Sequence, residues 1–243
     1  MILLQTTAYR RILLKLSGEA LQNGNKKGIL DDEYVGQICD AIRRIMDMGV
    51  QVAIVIGAGN IWRGARQGSG MDRCLADNMG MLATTINSLA VSDALSHHGV
   101  KSTVFSAVSM PKIAPLFRKE DAVSAMEEGR AVILAGGSGN PFFSTDTAAV
   151  LRAAELECDV VMMAKNVDGV YTADPHLDPS AVKIDEMTCS EILKNDLKVI
   201  DAAAAAFARD NRQTLLLFGI TDPQNIVKIM LGDRLGTIVK GGN

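Results

Sequence analysis

Neither sign of charge dominates this sequence: 25 lysines and arginines face 28 aspartates and glutamates, for a net charge of −3. Without a basic excess there is no electrostatic footprint for nucleic acid or an anionic membrane. No apolar run approaches the roughly 18 residues of a membrane span. The opening stretch, MILLQTTAYRRILLKL, lacks the long apolar core and A-x-A site of a secretion signal. Cysteines are few and scattered (Cys39, Cys74, Cys158, Cys189), with no C-x-x-C pair. That argues against structural zinc or a disulfide framework and fits reduced thiols in the cytoplasm. There is no Pro- or Ser-rich linker and no internal repeat. Apolar residues make up 48% and charged residues 22%, which excludes disorder and supports a sizeable core.

What is present is alternation. Short, nearly continuous apolar runs read as strands buried on both faces: Arg11–Leu16, Gln51–Ile56, Lys101–Ser106, Arg130–Ala135, Asp159–Ala164 and Thr214–Phe218. Helical patterns lie between them: Asp32–Met48, Met71–His98, Ala114–Glu128, Thr145–Glu157, Ser190–Lys194, Asp201–Asn211 and Pro223–Leu231. Thr237–Lys240 reads as a late strand, in a hairpin at a sheet edge. Such alternation implies βαβ units and a parallel sheet with helices on both faces, in one continuous α/β domain with two lobes.

Glycine is concentrated after three of these strands, in KLSGEA (15–20), GAGN (57–60) and GGSGN (136–140). In a parallel sheet all three loops leave the carboxyl edge, where open α/β sheets bind ligands. Bare N–H groups at such loops attract anions, phosphate foremost. Yet G-x-x-x-x-G-K-[ST] is absent, and GAGNIWRG lacks G-x-G-x-x-G spacing, so neither a P-loop nor an ordinary dinucleotide fold is expected. Lys15 sits among Leu13, Leu14 and Leu16, where an unpaired ammonium is costly; it reads better as a point charge among phosphates than as a lysine reaching water. Arg63 is either a two-pronged phosphate clamp or a surface charge. Two of only six phenylalanines, Phe142 and Phe143, sit in a glycine-rich loop. Flat rings beside bare amides point to a ligand that is both anionic and ring-bearing.

Together, KLSGEAL (15–21), GAGNIWRG (57–64), DNMGMLAT (77–84), GNPFFSTD (139–146) and NVDGVYTADP (166–175) resemble the bacterial UMP kinases of the amino-acid-kinase superfamily, over about 9–239. The resemblance implies a three-layer αβα sandwich with a central, mostly parallel sheet. It implies one domain across 1–243, with a UMP-binding lobe at about 9–155 and an ATP-binding lobe at about 156–243. It also implies transfer of phosphate from Mg-ATP to UMP and a homohexamer, with Mg²⁺ carried by the ATP phosphates rather than by a protein site. Carried over by position, Lys15, Leu16, Ser17 and Gly18 meet ATP phosphates, with Gly59 and Arg63 on the ATP side and Asn166, Tyr171 and Asp174 along the adenosine. Ala58 faces UMP, Asp77 holds its ribose, and Ser138, Gly139, Asn140, Pro141, Phe142, Phe143, Ser144 and Thr145 wrap the nucleotide. Ala58 stands where the family often has a third glycine, and Lys165-Asn166 is a variable pair. NGNKKG (23–28) lies in a variable region tied to GTP activation; GTP activation and UTP inhibition follow only by analogy.

Only three histidines are available: His97 and His98 at a helix end, which read as caps, and His176. No general base is needed, because a phosphate monoester with a second pKa of about 6 is already largely dianionic at neutral pH. The work left is positioning and charge neutralisation, for which Lys15, Arg63 and Asp146 are the catalytic candidates. Asp146 either serves the dipole of the helix it opens or orients Lys15 or a metal-bound water. Asp168 falls in an Asp-Gly turn and Asp201 precedes a helix as an N-cap candidate, and the sequence leaves the role of both open. One of Phe142 and Phe143 is expected on the nucleotide and the other in the core. Met79, Met81, Leu82, Ile86 and Leu89 form an apolar stripe suited to core or subunit interface. The competing readings are a relative that phosphorylates a carboxylate or carbamate, and a non-catalytic nucleotide sensor.

Overall fold

The computed structural model describes residues 7–24, 28–62, 70–173, 177–178 and 180–242. At its centre β1 (Arg11–Leu16) lies between β2 (Gln51–Ile56) and β5 (Val160–Lys165). The sheet runs outward through β4 (Ala131–Ala135) to β3 (Ser102–Ser106) on one side and to β9 (Leu215–Gly219) on the other. These six strands are parallel. Beyond β9 come β10 (Thr237–Lys240), antiparallel to it, and then β8 (Glu186–Thr188) at the rim. A separate hairpin joins β6 (Val170–Tyr171) to β7 (Lys183–Ile184).

Side chains alternate across the sheet, so each strand feeds two cores. Ile12, Leu14 and Leu16 pack with Val52, Ile54 and Ile56 beneath α2 (Asp32–Asp47), the far end of α3 (Arg73–His97) and α8 (Gln224–Met230). Leu13, Val55, Leu134 and Met163 pack on the other face beneath α4 (Lys119–Glu127), α5 (Thr145–Glu155), α6 (Cys189–Lys194) and α7 (Ala202–Asp210). The result is a three-layer αβα sandwich. A short helix, α1 (Gly18–Gln22), follows β1 directly. Among the described residues no helix is long and apolar enough to cross a membrane.

Most elements fall within a residue or two of the sequence expectation, and the differences have local causes. The helix expected from Ala114 starts at Lys119. Ala114 precedes Pro115, which disfavours helical backbone, and the segment instead runs along the end of β3, with Ser106 N donating to Pro115 O and Phe117 N to Ser106 O. The late strand does pair antiparallel with β9, but it is interior, because β8 covers its other side. β6, β7, β8 and α1 are two to five residues long, too short to show a period.

One fully buried hydroxyl joins the small hairpin to the sheet. Thr237 Oγ1 accepts from Val170 N at 2.8 Å and donates to Ile184 O at 2.5 Å. Thr237→Val keeps the shape and removes both of these bonds. We expect a loss of about 1–3 kcal/mol in urea unfolding; an unchanged midpoint would mean that the hairpin is held by other contacts.

Candidate active site

Strand register places the charged groups. Lys15 on β1 lies opposite Met163 on β5. Lys165 is two residues further along β5, so both lysines project from the same face of the sheet. That face is covered by α5, whose first turn carries Asp146. The Lys15 ammonium lies 2.7 Å from Asp146 Oδ1, and the Lys165 ammonium 3.1 Å from Oδ2. The side chains of Lys15 and Asp146 are only 9% and 14% exposed, so the contact is shielded from water. Burial pushes the Asp146 carboxyl up, but the Lys15 and Lys165 charges outweigh it and hold the group below the usual carboxylate range. Burial likewise depresses Lys165, against the upward pull of Asp146 and with help from the neighbouring Lys15 charge. Two cations meet one anion here, and the Asp201 carboxylate adds a second negative charge that acts on Lys165.

Asp201 braces the cluster from α7. It caps that helix by accepting from Ala204 N at 2.8 Å, and also accepts from Thr147 Oγ1 at 3.0 Å and from the Ser144 hydroxyl. Ser144 in turn caps α5, accepting from Asp146 N at 3.0 Å and Thr147 N at 3.2 Å. The start of α5, and hence the Asp146 carboxylate, is tied to a second helix.

Two clefts flank this cluster. The first, of ≈ 210 Å³, is lined by Ala58, Trp62, Asp77, Ser138, Phe143 and Thr145, among others. The second, of ≈ 490 Å³, is lined by Asn166, Asp168, Tyr171, Gly219, Thr221 and Asn225, among others. Thr145 of the first cleft precedes Asp146, and Asn166 of the second follows Lys165, so the ion cluster stands at the boundary. The loop over the first cleft is built on left-handed backbone at Gly136, Gly137 and Gly139, with φ of 78°, 59° and 82°. A side chain on Gly139 would also press against Ala107 O at 3.0 Å. Gly136 N donates to Thr84 Oγ1 at 2.9 Å, and Phe142 N to Asp77 Oδ2 at 2.7 Å, so α3 holds both ends of the loop. Arg73 completes the clasp, with Nε 2.8 Å from Asp77 Oδ2 and its guanidinium 5.4 Å from the centre of the Phe142 ring.

The family model described as the amino acid kinase family matches residues 10–219. This chain belongs to the amino acid kinase family. It is similar to the solved UMP kinase of Bacillus anthracis, at 35% identity and a TM-score of 0.91 over 96% of each chain. It is also similar to the UMP kinase of Ureaplasma parvum, at 39% identity and a TM-score of 0.89 over 95% of this chain and 98% of that one. Similarity to the uridylate kinase of Archaeoglobus fulgidus is lower, at 26% identity and a TM-score of 0.70 over 94% and 99%.

The positions expected to form the site of this amino acid kinase fall into three groups. Lys15 and Asp146 meet in the ion cluster. Ser17 caps α1 by accepting from Ala20 N, Gly18 opens that helix after Leu16 ends β1, and Gly59 backs onto the Glu19 side chain, where an added Cβ would lie 2.7 Å from Oε1. Ala58, Asp77, Ser138, Asn140, Phe143, Ser144 and Thr145 line the first cleft, and Asn166 and Tyr171 the second. Gly139 and Pro141 belong to the same loop. Arg63 and Asp174 lie outside the described residues, as does His176. The expectation that one phenylalanine of the loop fills the core is not met: Phe142 and Phe143 are both exposed, because the loop stands on α3 rather than over the sheet. Phe142 adopts a left-handed φ of 72° and turns outward to Arg73, while Phe143 faces the first cleft. His98 caps α3, and its Nδ1 lies 2.9 Å from Asp40 Oδ1, remote from both clefts.

Lys165 was missed by sequence reasoning, which left the role of Asp201 open beyond a candidate cap. The signal for Lys165 was there: VVMMAK ends an apolar strand with lysine just as RILLKL does. Among the described residues no three His, Cys, Asp or Glu side chains gather to hold a metal ion.

Asp146→Asn leaves two buried ammoniums without their counter-charge, and a loss of about 3–5 kcal/mol is expected in denaturant unfolding at pH 7. Because the folded carboxyl titrates below its ordinary value, its stabilisation is complete above about pH 4 and fades as pH falls through the depressed folded value. The gap between wild type and variant should therefore narrow on acidification. A gap independent of pH would show that the carboxylate charge is not what stabilises the cluster.

Proposed function

We propose that this chain is a UMP kinase, transferring the γ-phosphoryl group of Mg-ATP reversibly to UMP to give UDP and ADP, a step of pyrimidine nucleotide synthesis. The observation that carries this reading is the buried Lys15–Asp146–Lys165 cluster between two clefts, one of them walled by Phe143 and Asp77. The similarity to UMP kinases over nearly the whole chain supports the same conclusion.

In this reading UMP occupies the first cleft, with its ribose on Asp77 and its base under the 138–145 loop, and ATP occupies the second, along Asn166 and Tyr171. The UMP dianion is itself the nucleophile. Phosphoryl transfer then needs alignment and neutralisation of charge spread over the transferred oxygens. Lys15 and Lys165 supply positive charge at the boundary, and Asp146 holds both ammoniums in place. Magnesium enters with ATP and shields its phosphates. The N-terminal lobe, about 9–155, serves the acceptor, and the C-terminal lobe, about 156–243, the donor. The reading extends to a cytoplasmic homohexamer, with GTP activation and UTP inhibition by analogy with the family. Exposed Leu75, Leu82, Ile86 and Leu89 on one side of α3 support assembly between copies. A carboxylate or carbamate kinase would share the lysines but has no use for a ring-walled acceptor cleft.

The test is ADP release with UMP, CMP, dUMP, acetylglutamate, glutamate and carbamate at fixed Mg-ATP. UMP presents O4 as an acceptor where cytosine presents an amino group, so loop donors would be left unpaired against CMP. A kcat/KM preference for UMP over CMP of at least ~10² is expected. Turnover of CMP within about tenfold of UMP would make this a broader pyrimidine kinase. Lys15→Ala should lower kcat by roughly 10²–10³ with nucleotide binding preserved; a variant keeping more than about half of wild-type kcat would remove Lys15 from the mechanism. Asp77→Asn should raise KM for UMP and shrink the UMP/dUMP preference, and equal losses on both would make Asp77 a loop clasp only.

A further inference from the structure

The loop GAGN (57–60) borders the acceptor cleft and reaches toward the KLSG turn. Backbone bonds in and around it include Gly57 N to Leu16 O and Ile61 N and Trp62 N back to Ala58 O. A pair of side-chain amides also ties the loop to α3. Asn87, on the inner face of α3, is 0% exposed. Its Nδ2 donates to Gly57 O at 2.8 Å and to Asn60 Oδ1 at 2.8 Å. Asn60 Nδ2 returns a bond to Asn87 Oδ1 at 3.0 Å and gives another to Ile29 O at 2.6 Å. The two amides form a closed ring of donors and acceptors, with every strong valence directed at a neighbouring backbone or at the other amide.

The ring is also pressed against the donor-side turn. A Cβ built on Gly18 would lie 2.1 Å from Asn60 Oδ1 and 2.7 Å from Gly57 O. The glycine loop therefore sits in van der Waals contact with the turn that follows Lys15, and Asn87 bonds the loop directly behind that contact. A buried amide with no hydrogen-bonding work is costly, whereas an aliphatic residue would pack on α3 without that cost.

We propose that Asn87, acting through Asn60, is a positioning residue for phosphoryl transfer: the amide pair locks loop 57–60 against Gly18 and so sets the separation of acceptor and donor. This rests on the proposed UMP kinase reading of the site. Neither asparagine touches the reacting atoms in this account. A misplacement of the loop by a fraction of an ångström costs alignment rather than affinity, which predicts a loss in kcat separated from binding.

The experiment uses the full chain and the variants Asn87→Leu, Asn60→Ala and the double variant. Tryptophan fluorescence gives the affinity for UMP, because Trp62 is the single tryptophan and lines the acceptor cleft, with its indole donating to Ala76 O. Hydrogen exchange over 57–62 reports the loop directly. We expect kcat to fall about 10- to 100-fold in each single variant, with affinities for UMP alone and Mg-ATP alone within about threefold of wild type. Exchange over 57–62 should accelerate while β1 and β2 stay protected. Because the two amides act as a unit, the double variant should be no worse than the poorer single one. Should Asn87→Leu fail to fold, the partly exposed Asn60→Ala decides alone. A folded variant with kcat within about threefold of wild type, or with binding reduced as much as kcat, overturns the positioning role. If the wild-type chain does not phosphorylate UMP, the proposed function falls separately; unchanged exchange over 57–62 then still overturns the lock.

Discussion

A single carboxylate pairs with two largely buried lysines at the boundary of both clefts. An ammonium buried without a partner would shed its proton or drag its strand end toward water. Asp146 supplies that partner for Lys15 and Lys165 together, and Asp201 fastens the start of α5 through Ser144 and Thr147. The chain of dependence runs from α7 through α5 to β1 and β5, two adjacent strands in parallel register. A strand slip of one residue would send one lysine to the opposite core.

Parallel topology explains why so few residues suffice. β1 through β4 build one side of the sheet, and β5 then returns to the other side of β1. The reversal opens a crevice at the carboxyl ends, and both lysines stand at its floor. No long excursion of chain is needed to gather the groups, since three glycine turns and one helix start already meet there.

The strands and the glycine loops were legible in the sequence because their signals are local: RILLKL, QVAIVI and AVILA are apolar without interruption, and glycine follows each directly or nearly so. Lys15 was legible for the same reason, as a charge where none belongs. Other features depend on partners far away in the chain. Asn87 looks like an ordinary polar residue in TTINSLA until the fold brings Gly57 beneath it. Asp201 looks like a helix cap until Thr147 arrives from α5. The two phenylalanines were judged by hydrophobicity, which points inward, whereas the glycine loop that carries them is propped on α3 and turns them out. The stripe on α3 likewise divides, with Met81 going to the inside while Leu82, Ile86 and Leu89 remain outside. One helix therefore presents Asp77, Thr84 and Asn87 to the loops and an apolar side to its surroundings.

The crowding at Gly18 carries a consequence for how such a sequence can change over generations. Any side chain there would strike the Asn60 amide, and displacing Asn60 would strip Asn87 of its partner deep inside α3. Substitution at 18 is thus not an independent event: it needs changes at 60 and 87 and a shift of the Gly57 carbonyl, which the added Cβ would meet at 2.7 Å. Positions 18, 60 and 87, scattered across three elements, should drift as a single inherited character, so that a lineage either keeps all three or rebuilds the junction at once.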